Sequence, residues 1–386
     1  MIQVQGDWVS QPETQALFRV LTDAGYRALF VGGCVRNALL GAAVNDIDLA
    51  TDALPQRVME LTKAAGMKAV PTGVDHGTVT IVVNGHPLEV TTFRRDVETF
   101  GRHAVVAYTD KVEEDARRRD FTMNALYAEP DGSLVDPLAG LGDLRAARVR
   151  FIEDADARIQ EDYLRILRFF RFHALYGDQT NGFDPDGLAA CAAHSAGLET
   201  LSKERVGAEL LKLLSAPNPA PSVAGMVSTG CLLRVLPGAD ATALPILVHL
   251  ENSMAEAPDA IRRLAILGGE DVPDRLRLSK ANARALERLR NSATGTASAA
   301  ELAYRFGFQS GLDACLIRAA LFEAPLPPDL TTQLDSGAGA KFPISARDLQ
   351  TRFQGPALGT KLRELETAWI ASGFTLSRAD LLAKAT

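Results

Sequence analysis

The chain has 386 residues, which suggests two or three domains with buried cores and excludes a small scaffold held together by disulfides. Hydrophobic residues make up 47% and charged residues 23%, as in globular proteins, and no apolar run approaches the roughly 20 residues that cross a bilayer. The formal net charge of −7 argues, at first sight, against a nucleic-acid partner.

Neither the amino terminus nor the cysteines indicate secretion. The first residues lack the basic and apolar regions of a secretory leader. The four cysteines show no CxxC spacing, which argues against a zinc site or a disulfide framework. We therefore expect a cytoplasmic protein with no membrane-spanning segment.

Two patterns of secondary structure follow one another along the chain. Up to about residue 150, β-rich runs alternate with helical stretches, and beyond it the pattern is nearly all helical. In the first part, residues 27–31 read as a strand that ends at Gly32-Gly33, and residues 35–40 as a helix. Residues 46–50 alternate polar and apolar, as in a half-buried strand.

A β-hairpin and a long polar segment come next. Residues 78–83 and 88–93 flank the turn pair Asn84-Gly85, which suits a type I′ turn. These elements predict a small mixed sheet with helices. Residues 95–118 are long and polar, and predict a mobile loop followed by the start of a helix.

Three carboxylates are candidate metal ligands. Asp46 and Asp48 lie two apart on a predicted strand, so both project from one face of the sheet. Hard oxygen ligands at this spacing suit Mg²⁺. Glu89, on a strand of the predicted hairpin, is a third candidate. The alternatives are a polar turn for the two aspartates and an ordinary solvent-facing residue for Glu89.

Gly32-Gly33 ends a strand and opens a helix, where free backbone N–H groups can hold a phosphate. Arg36 in the first turn adds a cation for the same anion. A tight turn with a surface arginine explains the same residues equally well.

Two further clusters combine arginine with aspartate. Arg119 and Asp120 follow two other arginines and could hydrogen-bond a ribose hydroxyl, the alternative being a structural salt-bridge cluster. Asp162, Arg165 and Arg168 step by three on a helix predicted to begin at Glu161. An aspartate beside an arginine could read the edge of a nucleotide base, although by itself an i,i+3 salt bridge is the simpler explanation.

Six segments together resemble the class II family of tRNA CCA nucleotidyltransferases and bacterial poly(A) polymerases, in family order and spacing. One residue departs from the family pattern, because Asn37 stands where the family usually has Asp. The segments are Val31-Gly32-Gly33-Cys34-Val35-Arg36, residues 46–55, Glu89-Val90-Thr91-Thr92-Phe93-Arg94, residues 118–125, Glu161-Asp162-Tyr163-Leu164-Arg165 and residues 204–210.

The resemblance implies an α+β fold: a polymerase-β-like nucleotidyltransferase head with a small mixed β-sheet, followed by an all-helical neck, body and tail. The expected domains are the catalytic head at residues 1–150, the base-templating neck at 151–215, and the tRNA-binding body and tail at 216–386.

The resemblance also implies roles for the site residues. Asp46 and Asp48 would bind Mg²⁺, with Glu89 as the third acidic residue. Residues that hold the nucleotide would be Gly32, Gly33 and Arg36 at its phosphates, Arg119 and Asp120 at its ribose, and Asp162, Arg165, Arg168 and Arg171 at its base. Glu204, Arg205 and Glu209 would be structural and steady the templating helix.

The expected function is addition of C, C and A to the tRNA 3′ end from CTP and ATP. Rival readings are a poly(A) polymerase, an enzyme that adds only CC or only A, and a non-catalytic RNA-binding module. The segment 95–115 matches the family's flexible loop, and its full length speaks against CC-only addition. Residues 262–290 carry eight cations against four acids, a local excess that could face tRNA on an acidic protein.

Overall fold

The computed structural model describes residues 2–100 and 103–385, with the side chains of 96–100 and 103–106 left out. The chain divides into two compact units, unit 1 at Met1–Pro237 and unit 2 at Gly238–Thr386. The predicted head and neck segments thus lie in one unit. Among the described residues, no helix combines the length and apolar character needed to cross a membrane.

Unit 1 contains a mixed β-sheet with the strand order β3-β4-β5-β2-β1-β8-β9. Strands β2 and β5 pair in parallel, and the other neighbours pair antiparallel. Strands β6 and β7 form a separate hairpin. The strands are β1 Ala28–Val31, β2 Asp48–Thr51, β3 Lys68–Gly73, β4 Thr78–Val83, β5 His86–Thr92, β6 Arg94–Phe100, β7 His103–Tyr108, β8 Tyr127–Ala128 and β9 Leu134–Val135.

Helices surround this sheet and form the rest of unit 1. They are α1 Pro12–Thr22, α2 Gly33–Leu39, α3 Pro55–Ala64, α4 Val112–Arg117, α5 Gly140–Arg145, α6 Ala155–Glu161, α7 Leu164–Tyr176, α8 Pro185–Ala193, α9 Lys203–Leu214, α10 Ala220–Ser228 and α11 Cys231–Val235. Short 3₁₀ turns occur at Val74–His76, Thr122–Asn124 and Ser195–Thr200.

The described part of unit 2 is built from helices. They are α12 Leu244–Ser253, α13 Ala260–Leu267, α14 Val272–Arg275, α15 Lys280–Thr294, α16 Ala299–Phe306, α17 Phe308–Leu321, α18 Leu330–Gly339, α19 Ala346–Leu349, α20 Pro356–Ala371 and α21 Arg378–Ala383. The α+β class and the helical second half are as the sequence predicts.

Central strand β1 is buried at every position. It lies between β2 and β8 and also contacts α1 and α2. The predicted turn between β4 and β5 forms with positive φ at both Asn84 (49°) and Gly85 (86°), as a type I′ turn requires. A stack of phenylalanines joins the head segment to α7: the ring of Phe151 lies 4.9 Å from Phe121 and 5.4 Å from Phe169. This stack fixes α7 beside the sheet within unit 1.

The structure differs from the sequence prediction over residues 95–118. Strands β6 and β7 form a hairpin where a loop is predicted, and α4 follows. Residues 103–108 are His-Ala-Val-Val-Ala-Tyr, an apolar run with two valines of the kind that favours a strand. Treating the whole of 95–118 as polar therefore overlooked this signal. Gly101 and Arg102 of the predicted loop lie outside the described residues.

Two of the eight cations between residues 262 and 290 are buried inside unit 2. Arg262 and Arg263 are each 1% exposed and both bind the Glu251 carboxylate. Arg262 also contacts Asp313 at 2.7 Å. The expectation that they contribute to an RNA-facing surface is therefore wrong, because these side chains form the ionic core of unit 2. Arg277, Lys280, Arg284 and Arg288 are exposed.

Candidate active site

A cleft in unit 1, with a volume of about 570 Å³, collects most of the predicted site residues. The turn from β1 to α2, the start of β2, the end of α4 and the helices α7 and α9 contribute to its walls. The predicted residues that line it are Gly32, Gly33, Arg36, Asp48, Arg119, Asp120, Asp162, Arg165 and Arg168.

Asp46, Glu89 and Arg171 do not line this cleft. Asp46 is exposed and lies before β2, which begins at Asp48, so the two aspartates do not share a strand as predicted. Glu89 is the register partner of Asp48 across the parallel β2–β5 ladder. The sheet therefore places two of the three carboxylates side by side, and Asp46 approaches them from the preceding loop.

The carboxylate of Asp48 has a raised pKa. Burial is the main cause, and the negative charges of Glu89 and Asp46 add to it, while Arg119 acts in the opposite direction. Within residues 2–100 and 103–385, no three His, Cys, Asp or Glu side chains already stand together as a metal site. Asp48, Glu89 and Asp46 nevertheless supply the hard oxygens that a divalent cation prefers, and such a cation would relieve their mutual repulsion. The donor set fits Mg²⁺.

Gly32 allows the chain to turn tightly into α2. Its φ is +72°, a conformation that side chains disfavour. A Cβ at this position would lie 3.3 Å from Nη1 of Arg119. The lack of a side chain therefore lets a guanidinium approach the backbone at the edge of the cleft.

Arg36 is buried, at 7% exposure, but its hydrogen-bond partners are uncharged. It donates to Oδ1 of Asn124 at 2.5 Å, to Oδ1 of Asn37 and to the Tyr176 hydroxyl at 2.9 Å. Its guanidinium also stacks 4.1 Å from the centre of the Tyr176 ring. Burial lowers the pKa of Arg36, so its positive charge would be stabilised by an anion in the cleft.

Asp120 is held by ion-pair and hydrogen-bond partners on both oxygens. Oδ2 contacts Arg168 at 2.5 Å, and Oδ1 accepts hydrogen bonds from Nδ2 of Asn124 and the backbone N–H of Phe121. Burial alone would raise the pKa of Asp120, but Arg168 and these donors outweigh it and lower the pKa to about 2. The salt-bridge cluster that the sequence offered as an alternative is thus present, and it lines the cleft.

Arg119 is held by hydrogen bonds to two residues that do not line the cleft. Its Nε donates to the Tyr127 hydroxyl at 3.0 Å and its Nη2 to Asp115 at 3.2 Å. Asp115 is buried and also binds Arg118 at 2.7 Å. These bonds hold Arg118 and Arg119 in place beside the Gly32 turn.

The helix predicted to begin at Glu161 is interrupted. Helix α6 ends at Glu161, Asp162 has extended geometry (φ −156°, ψ 105°), and α7 begins at Leu164. The Asp162 carboxylate pairs with Arg205 at 2.5 Å, and Arg165 binds Glu161. The simple i,i+3 pair between Asp162 and Arg165 is therefore wrong, and so is their placement on one helix face, although both still line the cleft.

The helix α9 supplies partners for residues at the cleft. Glu209 is buried and accepts a hydrogen bond from Nε of Arg171 at 2.6 Å, with Arg168 also 4.0 Å away. Arg205 lines the cleft itself and reaches Asp162 across the helices. Sequence reasoning assigned these two residues a structural role and missed that Arg205 faces the cavity.

Other lining residues were also missed as site residues, namely Arg94, Arg118, Asn124, Leu164 and Phe172. All except Phe172 lie inside the segments that resemble the family, so membership of these segments could have identified them as site residues. In total seven arginines line the cleft against three aspartates, so it is electropositive: Arg36, Arg94, Arg118, Arg119, Arg165, Arg168 and Arg205 against Asp48, Asp120 and Asp162. Such a cavity suits a polyanionic ligand.

Two family models match the chain. One describes the poly A polymerase head domain and matches residues 28–150, and the other a probable RNA and SrmB-binding site of polymerase A, at residues 182–242. A CCA-adding enzyme of Limosilactobacillus fermentum is 35% identical over 326 residues, which cover 81% of this chain and 79% of that protein.

Human mitochondrial CCA tRNA nucleotidyltransferase 1 is 41% identical over 215 residues, 53% of this chain and 50% of the human protein. The chain thus spans about half the length of that relative. The solved Bacillus stearothermophilus CCA-adding enzyme in complex with CTP has a TM-score of 0.70 and 26% identity, covering 94% of both chains. The Thermotoga maritima CCA-adding enzyme shares the fold, with a TM-score of 0.70 at 19% identity over 97% of this chain and 95% of that one.

Proposed function

From the premise that this chain belongs to the family of CCA-adding enzymes, we propose that it adds C, C and A to the 3′ end of tRNA from CTP and ATP, releasing pyrophosphate. The observation that carries the proposal is the cleft in unit 1. There, seven arginines surround a cavity at whose edge Asp48 stands beside Glu89. Cations for a triphosphate and carboxylates for a metal are thus combined in one place.

The family's chemistry depends on a divalent metal, and we assign Mg²⁺ to Asp46 and Asp48, with Glu89 beside them. When bound, the metal supplies activation of the RNA 3′-hydroxyl and charge neutralisation at the triphosphate. The carboxylates orient the reacting groups by their position at the start of β2 and on β5. Arg119, whose charge opposes the raised pKa of Asp48, helps to keep that carboxyl ionised.

The arginines of the cleft would bind and orient the nucleotide. Gly32, Gly33 and Arg36 are proposed to hold its phosphates, since the buried Arg36 has uncharged hydrogen-bond partners. Arg119 and Asp120 are proposed to contact the ribose. Asp120 accepts from Arg168 and Asn124, so its contribution would be to hold these donors toward the sugar.

The base would be read by Asp162 and Arg165, helped by Arg168 and Arg171. Asp162 offers carboxylate oxygens and Arg165 offers N–H donors, which suit an exocyclic amino group and a ring nitrogen or carbonyl respectively. The break between α6 and α7 supports this role because it frees Asp162 from the helix. Arg205 would fix the direction of the Asp162 carboxylate.

The domain roles follow the same proposal. We assign catalysis to the head at residues 1–150, base templating to the neck at 151–215, and tRNA binding to the body and tail at 216–386. Arg284, Arg288 and Arg305 line a groove of about 660 Å³ in unit 2, and are cations suited to RNA phosphates. A cytoplasmic location is supported by four free and buried cysteines.

A poly(A) polymerase is the rival reading, because the matching head-domain model carries that name. The test is to supply tRNAs that end before CCA, after C and after CC with CTP or ATP singly and together, in Mg²⁺. Addition that stops after CCA supports the proposal. A long A tract would replace it with poly(A) synthesis, arrest after CC would indicate a partial enzyme, and no incorporation at all would contradict it.

A further inference from the structure

Asn37 lies on α2, next to the cleft-lining Arg36, and uses both halves of its amide. Its Oδ1 accepts hydrogen bonds from Nε (3.1 Å) and Nη2 (2.8 Å) of Arg36. Its Nδ2 donates to the backbone carbonyl of Ala43 at 2.9 Å. The orientation of the amide follows from these partners, since a guanidinium only donates and a carbonyl only accepts.

The Ala43 end of this link lies in the segment 41–47, which connects α2 to β2 and carries Asp46. The segment leaves α2 through backbone bonds from Gly41 to the carbonyl of Ala38 and from Ala42 to the carbonyl of Asn37. The side-chain bond of Asn37 extends this attachment one residue further, toward Asp46. Asn37 thus contacts the segment through both its backbone and its side chain.

The Arg36 end of the link is rigid. Arg36 is 7% exposed, donates to Asn124 and Tyr176, and stacks on the Tyr176 ring. A side chain with this many partners on α2, the 3₁₀ turn and α7 has little freedom to move. Asn37 therefore joins a fixed part of the cleft to an exposed connecting segment.

We propose that Asn37 is a positioning residue that holds the segment 41–47 so that Asp46 stands beside Asp48. The inference rests on the proposed function in that it takes Asp46 as a metal ligand. An aspartate at position 37, the usual residue of the family, would still accept from Arg36 but would present a second acceptor to the Ala43 carbonyl. The link to the segment thus requires the amide that this chain has.

Limited proteolysis tests the link without any metal or substrate. Thermolysin cleaves before bulky apolar residues, so it can cut the segment before Val44 or Ile47 when the segment opens. We expect Asn37→Ala and Asn37→Asp to be cut there about two- to fivefold faster than the wild type, because both lose the hydrogen bond to the Ala43 carbonyl. Asn37→Ala also loses the two bonds from Arg36, whereas Asn37→Asp can keep them. Mass spectrometry of the fragments gives the site and the rate.

Asn218→Asp is the matched control. The side-chain amide of Asn218 also both accepts and donates: it accepts from the backbone N–H of Ala220 and donates to Gln179. Asn218 does not line the cleft. We expect its cleavage rate at residues 41–47 to equal that of the wild type. Unchanged cleavage in both Asn37 variants would overturn the link.

Binding of Mn²⁺ alone, followed by the electron paramagnetic resonance signal of the free ion, tests the positioning. We expect Asn37→Ala, which adds no charge, to bind Mn²⁺ about two- to fivefold more weakly than the wild type. In an Asp46→Asn background, the same substitution should have no further effect, because the positioned ligand is already absent. Wild-type affinity in Asn37→Ala would overturn the positioning role.

These outcomes separate the inference from the proposed function. A wild-type protein that binds Mn²⁺ and adds CCA, while the Asn37 variants behave as the wild type does, contradicts only the role of Asn37. A wild-type protein that binds no Mn²⁺ contradicts the metal site itself, and with it both proposals.

Discussion

The cleft of unit 1 and the helical core of unit 2 are both built from arginines paired with carboxylates, but these arginines face different surroundings. In unit 2, Arg262 and Arg263 enclose Glu251, and all three side chains are 1% exposed. In unit 1, the paired arginines line a cavity and outnumber the acids there. An arginine–carboxylate pair therefore does not identify a binding site; an excess of cations around an accessible cavity does.

The largest expected effect is at the carboxylate pair of unit 1. Asp48→Ala should lower the rate of CMP addition at least about a hundredfold, because the proposed metal loses a ligand at the reacting atoms. The substitution also removes repulsion with Glu89, so the melting temperature should not fall. Single-turnover primer extension and thermal melting measure the two quantities.

Asp178→Ala is the control for this substitution, since Asp178 is a carboxylate of unit 1 outside the cleft lining. It should keep wild-type addition rates. If Asp48→Ala retained wild-type rates as well, the assignment of the metal site would be wrong.

The ionic core of unit 2 should show its effect in stability instead of rate. Glu251→Ala leaves two buried guanidinium groups without their shared carboxylate and should lower the free energy of unfolding by about 3–5 kcal/mol. Urea unfolding followed by the fluorescence of Trp369, in a Trp8→Phe background, reports on unit 2 because the chain has two tryptophans.

Asp274→Ala gives the matched comparison within unit 2, because the side chains of the Asp274–Arg277 pair are more than half exposed at both ends. Its expected cost is about 0–1 kcal/mol. Equal costs for the two substitutions would show that the Glu251 cluster does not act as a buried ionic core.

Nucleotide preference should respond to the loss of a cleft arginine, Arg205, but not to the loss of a surface arginine, Arg234. Arg205→Ala frees the Asp162 carboxylate to rotate, so we expect the preference for CTP over UTP to fall roughly tenfold, measured as a ratio of kcat/KM values. Arg234→Ala, which breaks an exposed pair, should leave this ratio unchanged. A merely structural Arg205 would lower stability and leave the ratio intact.

The smallest effect is a pH dependence of stability. The folded-state pKa of Asp120 is about 2, below its ordinary value of 3.8, so its contribution to stability is present above about pH 4 and is lost as the pH falls toward 2. The free energy of unfolding of Asp120→Asn, measured in urea, should therefore decrease less steeply than that of the wild type between pH 4 and pH 2.

Asp313 of unit 2 should behave in the opposite way. Burial raises its pKa despite the bond with Arg262, so its protonation in acid favours the folded state. In Asp313→Asn, the free energy of unfolding should therefore decrease in acid at least as steeply as in the wild type. A shallower loss in Asp313→Asn would remove this difference between the two regions.

Local sequence patterns were sufficient for the elements that depend on near neighbours. At Gly32 a positive φ, which glycine tolerates, turns the chain at the end of β1. Asn84-Gly85 likewise tolerates the positive φ values of the turn that closes the β4–β5 hairpin. The strand predicted at residues 78–83, before this turn, has the bounds of β4. These features depend on backbone sterics and side-chain period, which are properties of a few consecutive residues.

Pairing between distant residues was not predictable in the same way. The sequence offered a pair with Arg165 as the simpler explanation for Asp162, but Asp162 pairs with Arg205, which is 43 positions further along the chain. Arg262 and Arg263 were expected on the surface and are buried by Glu251 and Asp313. Each charged side chain has several possible partners in sequence, and packing of the helices selects one of them.

The sequence by itself therefore determined the α+β class, the Gly32 turn, the presence of a strand that contains Asp48 and the set of charged residues available for a site. Only the tertiary structure decided that Glu89 lies beside Asp48, that Arg205 faces the cleft and that Asn37 links Arg36 to Ala43. The physical reason is that turns and strands follow from local sterics and periodicity, whereas the charge and shape of a cavity depend on which distant side chains packing brings together.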